Sequence, residues 1–266
     1  MIKILQLIFL SILILNIPAC YTRDYDEDLL IYFVRTGNIY QITEDGENLK
    51  LLLGGATYNY PCVSPDGKYL VCKSPTNSII YNISDMSVYS TLTTTNALNH
   101  SWSPDGTKVA ATIDAGFVRV YDVRTGLPVW TRSGGGMHGH YFTNDSNYIA
   151  ETIATTLNEF IHTSGADVVA DRTRTLPGTF YDLTLSPDGA YLTGHDSANI
   201  YLITNIDTPS SQLLVTGIQP SWSPDGKSIV YNNGGNLYIY QLDDGSSRQL
   251  TFSGTDSYPC YQYKPR

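Results

Sequence analysis

Short apolar runs, each bounded by turn-forming residues, recur along the chain and predict β-strands. One set directly follows a polar turn, at residues 69–72, 108–111, 148–150, 191–192 and 228–231. A second set comes next in each unit, at 78–83, 117–122, 157–161, 199–203 and 236–240. A weaker run ends each unit, as at 212–215 and 248–251. Residues 29–53 carry three runs of their own, at 30–34, 38–42 and 49–53.

The turns repeat one tetrapeptide: Ser64-Pro65-Asp66-Gly67, Ser103-Pro104-Asp105-Gly106, Ser186-Pro187-Asp188-Gly189 and Ser223-Pro224-Asp225-Gly226. Thr143-Asn144-Asp145-Ser146 is a degenerate copy, and successive aspartates lie 39, 40, 43 and 37 residues apart. That period is the length of a four-stranded propeller blade. Proline presets φ for the first bend, aspartate bonds the backbone just ahead, and glycine accepts a positive φ. Val63, Trp102, Phe142, Leu185 or Trp222 stands before each turn, so turn and flanks form a hairpin. Trp102 and Trp222 read as wedges between blades, and the turn aspartates as structural.

Five turns account for five units, and the two ends together supply a sixth. Tyr258-Pro259-Cys260-Tyr261 repeats Tyr60-Pro61-Cys62-Val63, which opens a unit. The tail therefore provides the first strand that residues 29–53 lack. The prediction is an all-β, six-bladed β-propeller of four-stranded antiparallel blades over 29–266. Its ring is closed by the C-terminal strand pairing with the N-terminal blade, which removes an exposed sheet edge.

Trp222-Ser223-Pro224-Asp225-Gly226-Lys227, then Ile229-Val230, Ile239-Tyr240 and Leu250-Thr251, resembles the WD-like repeats of the TolB propeller family. The resemblance spans essentially residues 29–266. It implies that the loops from fourth to first strand and from second to third strand share one partner-binding face. TolB docks a peptidoglycan-associated lipoprotein, so an envelope protein or peptide is the implied partner. The site residues implied on that face and at the channel mouth are Tyr58, Tyr60, Asn99, His100, His138, His140, Tyr181, Asp182 and Tyr258. Their Tyr, Asn and His content suits recognition.

Composition narrows the function further. Charged residues are 15% and aromatics 12%, with 21 Tyr, which excludes a disordered chain. A net charge of −9 without a basic stripe excludes nucleic acid as a partner. Residues 1–19 read as an export signal, with Lys3 ahead of an apolar run from Ile4 to Ile14 that is short for a membrane span. Ile17-Pro18-Ala19-Cys20 resembles a bacterial lipobox, which implies lipidation of Cys20, anchoring to a bacterial membrane, and a tether over 20–28. Ordinary cleavage near Ala19 and an uncleaved anchor are the alternatives.

No nucleophile elbow, phosphate loop or His-Glu-x-x-His motif occurs, and no cofactor is expected. The leading reading is a binding or scaffold module. The alternative is a metal-dependent polysaccharide lyase or hydrolase. His100 and His140 occupy equivalent positions in adjacent blades, and with His138 could ligate a divalent metal. His162 and His195 read as structural. With Cys20 lipidated, Cys62, Cys72 and Cys260 remain, an odd number that allows at most one intramolecular bridge. Cys62 and Cys260 hold equivalent positions on neighbouring blades, where a bridge would staple the ring. Three small core residues are the other reading.

Overall fold

The computed structural model describes residues 29–262 apart from residues 95, 114–115, 133–136, 147, 162–169, 171 and 205–206, and only the backbone of 137 and 138. The export segment, Cys20, the tether and His162 lie outside the described residues.

Among the described residues, twenty-four strands form six four-stranded antiparallel sheets, the predicted propeller. Blade 1 joins β1 (Leu30–Arg35), β2 (Asn38–Thr43) and β3 (Lys50–Leu53) to the last strand, β24 (Asp256–Tyr261). Blade 2 is β4 (Asn59–Val63), β5 (Tyr69–Lys73), β6 (Ser78–Asn82) and β7 (Val88–Leu92). Blade 3 is β8 (Asn99–Trp102), β9 (Lys108–Ile113), β10 (Phe117–Asp122) and β11 (Pro128–Arg132). Blade 4 is β12 (Met137–Phe142), β13 (Tyr148–Ile153), β14 (Thr156–Ile161) and β15 (Arg172–Thr175). Blade 5 is β16 (Tyr181–Leu185), β17 (Tyr191–His195), β18 (Asn199–Thr204) and β19 (Ser211–Thr216). Blade 6 is β20 (Ile218–Trp222), β21 (Ser228–Asn233), β22 (Asn236–Gln241) and β23 (Ser247–Gln249).

The repeated turn has one hydrogen-bond pattern. Ser64 Oγ donates to Asp66 Oδ1 at 2.6 Å, Lys68 N–H donates to the same oxygen at 3.1 Å, and Tyr69 N–H donates back to Ser64 Oγ at 2.9 Å. The turns at Ser103, Ser186 and Ser223 repeat it. Thr143 substitutes for serine in the degenerate copy, donating to Asp145 Oδ1 at 2.7 Å. Gly67 has φ of 69°, a conformation that costs a side chain energy; Ser146 tolerates φ of 59° in the same place.

Inward residues of adjacent sheets pack into buried clusters at the seams. One joins Val71, Ile80 and Leu92 of blade 2 to Trp102, Val109 and Tyr121 of blade 3. Full burial of each such aliphatic side chain contributes roughly 1.5–3 kcal/mol. The tryptophan wedges also bond across seams: Trp102 Nε1 donates to the Cys62 carbonyl at 3.0 Å, and Trp222 Nε1 to that of Thr184 at 3.3 Å.

Closure is both apolar and ionic. β24 pairs with β1, matching Ile31 to Tyr261 and Arg35 to Asp256. Arg35 holds the fully buried Asp256 carboxylate through Nε at 2.6 Å and a second nitrogen at 2.9 Å. Tyr261, also buried, donates to Glu44 Oε1 at 2.9 Å. Both ends of the blade 1 pairing lie on the turn face: Glu44 N–H donates to Leu29 O, Gln262 N–H to Leu30 O, and the Gln262 amide to Gly67 O.

On the opposite face the fourth-to-first and second-to-third loops meet as expected. Tyr58 N–H donates to Gly37 O at 2.7 Å, and Asp256 N–H to Gly235 O at 2.7 Å.

Candidate binding site at the channel mouth

The innermost strands β4, β8, β12, β16, β20 and β24 place six equivalent residues around the mouth: Tyr60, Asn99, Gly139, Asp182, Gln219 and Tyr258. In four of the six the backbone is left-handed, with φ of 53° at Tyr60, 47° at Asp182, 57° at Gln219 and 52° at Tyr258. The ladder slips at each of these points. Such bulges re-aim side chains, and each left-handed non-glycine residue costs on the order of 1–3 kcal/mol. Local sequence favours the slip at Tyr60, Gln219 and Tyr258, because Pro61, Pro220 and Pro259 follow and cannot donate to the ladder.

These side chains converge on one cavity of about 110 Å³. Tyr60, Asn99, His100, Asp182 and Tyr258, all expected on this face, line it together with Gln219. The Tyr60 and Tyr258 rings lie 4.3 Å apart between centroids, tilted by 55°, with hydroxyls 3.5 Å apart. Burial and the Tyr60 hydroxyl push the Tyr258 phenol well above its ordinary pKa. Gln219 Oε1 accepts from Tyr258 N–H at 2.9 Å, fixing this pair to blade 6. Asp182 is the one carboxylate among the described lining residues.

The other expected residues lie around this centre. Tyr58 packs into the apolar cluster between blades 1 and 2. Tyr181 is exposed on the rim, against the His195 ring at 5.8 Å. His138 belongs to β12, but its side chain lies outside the described residues.

His100 and His140 are buried pins between blades. His100 Nδ1–H donates to Tyr60 O at 3.0 Å, since a carbonyl only accepts, and Nε2 accepts from Ser78 Oγ at 2.7 Å. His140 Nδ1 meets Thr112 Oγ1 at 2.9 Å. Burial lowers both to a pKa of about 4, so both are neutral at pH 7. Both ring nitrogens of His100 are thus occupied. Among the described residues no three His, Cys, Asp or Glu side chains are grouped to hold a metal.

Sequence reasoning missed four contributors. Gln219, Cys62 and Cys260 line the cavity; their register with Tyr60 and with each other was the available signal. His195, read as structural, brings Nε2 to 3.3 Å from Asp182 Oδ2. Its pairing with Tyr181 sets this contact, and no motif announces it.

A larger cavity of about 500 Å³ opens on the turn face between blades 5 and 6. The Ser186, Asp188 and Asp225 groups there are engaged within their own turns. The mouth, lined by the Asp182 carboxylate and the Tyr60 and Tyr258 phenols from three different blades, is the better candidate.

Fold and mouth define the chain as a six-bladed propeller with a polar, aromatic channel entrance. The comparisons agree on the propeller fold. Residues 186–260 match the family model of the dipeptidyl peptidase IV N-terminal region. No curated protein matches the chain in sequence. Among solved structures, a chain of the nidogen/laminin complex is similar at a TM-score of 0.70 and 10% identity, over 89% of this chain and 99% of that one. The Cps50 (Swd1) β-propeller domain of Myceliophteria thermophila is similar at 0.61 and 14%, over 85% and 83%. A chain of the mitotic checkpoint complex is similar at 0.57 and 16%, over 86% and 77%. At these identities the likeness concerns the fold.

Proposed function

We propose that the chain is an exported, lipid-anchored propeller whose channel mouth binds a segment of an envelope protein or peptide. One observation carries the reading: four inner strands hold strained, left-handed residues whose side chains converge on the mouth. Strain of this kind persists where the surrounding structure sustains a site. The Tyr60–Tyr258 pair supplies apolar area with polar tips, suited to a polypeptide surface. Two of the similar folds come from multi-protein assemblies, a mitotic checkpoint complex and a nidogen/laminin complex. The apolar run from Ile4 to Ile14 supports export, and the lipobox-like Ile17-Pro18-Ala19-Cys20 supports anchoring.

The test is a pull-down from solubilised envelopes with wild type and with Tyr60→Ala/Tyr258→Ala. A stoichiometric partner held by wild type and lost by an equally stable variant supports the reading. Equal retention by both removes the mouth from it. Labelling with a fatty-acid analogue, present in wild type and absent in Cys20→Ser, checks the anchor.

A further inference from the structure

We propose that Cys62 and Cys260 are an oxidisable dithiol that closes into a disulfide and covalently locks the propeller ring. The two residues are about 200 positions apart in sequence, yet they face each other across the seam between blades 1 and 2. Both are free thiols and both line the mouth cavity. Val63 N–H, adjacent to Cys62, donates to Cys260 Sγ at 3.3 Å. The facing Cys62 thiol, with help from the Val63 amide and against burial, holds Cys260 below its ordinary pKa, while Cys260 and burial raise Cys62. A thiol favoured as thiolate is the attacking group in disulfide exchange.

Cys62 and Cys72 lie on opposite faces of blade 2, since Cys62 pairs with Val71 across the β4–β5 ladder and Cys72 pairs with Ile79 on β6. Cys72 belongs to the same seam cluster as Cys260, but the thiol hydrogen-bonded to Cys260 is that of Cys62. Burial alone raises the Cys72 thiol.

The oxidant is a small disulfide of the glutathione class. Cys260 thiolate attacks one sulfur, a Cys260–S–S–R bond forms, and RS⁻ leaves. Cys62 thiolate then attacks Cys260 Sγ, the Cys62–Cys260 bond forms, and a second RS⁻ leaves. The two protons lost by the cysteines end on two RSH, and the oxidant is reduced by two electrons. Cross-linking so distant a pair removes much chain entropy from the unfolded state. The lock does not depend on what the mouth binds.

The experiment treats the full chain with oxidised glutathione, quenches in acid, alkylates under denaturing conditions, and maps peptides by mass spectrometry. The expected result is a Cys62–Cys260 linked peptide with Cys72 alkylated. The melting temperature is expected to rise by ~5 °C or more, reversed by dithiothreitol. Cys62→Ser and Cys260→Ala should each abolish the shift; the wild-type comparison stands even if either folds poorly. Alkylation of both Cys62 and Cys260 after prolonged oxidation, a link from Cys72 to either of them, or an unchanged or lowered melting temperature on bridging would overturn the proposal.

Discussion

Acidification from pH 7 to pH 5 should destabilise this propeller through two buried rings. His100 and His140 have folded pKa values of about 4, lowered first by burial. In the unfolded chain each returns to about 6.5. Between those values the unfolded chain binds more protons than the folded one, so stability falls as pH drops through the window and levels off below about 4. Each ring then costs about 2 kcal/mol at pH 5 relative to pH 7, and the pair about 4 kcal/mol. Glu151 acts in the opposite sense: burial raises it despite Arg132, so it takes up a proton more readily when folded. For a chain of this size the net loss lowers the melting temperature by roughly 10 °C. Urea midpoints measured at pH 7, 6 and 5 read the effect, for wild type and for His100→Gln/His140→Gln. The slope with pH is the diagnostic, because the variant also loses hydrogen bonds to Ser78, Tyr60 and Thr112. A flat wild-type profile, or a double variant that declines as steeply, would refute the reasoning.

Three further outcomes follow from closure and from the turns. Truncation after Gly254, which removes β24, should abolish cooperative thermal unfolding; a truncated chain that melts like the full one contradicts the pairing of β24 with β1. Asp256→Ala should cost about 3 kcal/mol in urea denaturation, because it leaves the Arg35 guanidinium partly buried without its carboxylate. Gly235→Ala should cost more than ~1 kcal/mol, since φ is 78° and a Cβ would strike the Gly254 carbonyl; unchanged stability would mean that the loop yields freely.

The period of the chain was legible because each blade must bend sharply at one place, and few residues bend that way. Ser64, Asp66 and Gly67 are spent on a single turn, so their recurrence reports the architecture directly. The closing strand was legible for a related reason: Tyr258-Pro259-Cys260 copies Tyr60-Pro61-Cys62. The mouth was legible only in part. Loop register placed Tyr60, Asn99, Asp182 and Tyr258 on one face, but not the slips that turn three of them left-handed. His195 escaped because its approach to Asp182 comes from pairing across a slipped ladder. The role of His100 and His140 as interblade pins depends on Ser78 and Thr112, which belong to neighbouring blades and carry no motif.

The chain enters the propeller at Leu29, which lies on the turn face with Gln262 and the Gly67 turn, on the side away from Tyr60 and Tyr258. Anything that holds this molecule through the residues before Leu29 therefore grips it from behind. Were the chain moored in that way, the entrance would point outward, and a ligand could reach it without passing between the body and its mooring.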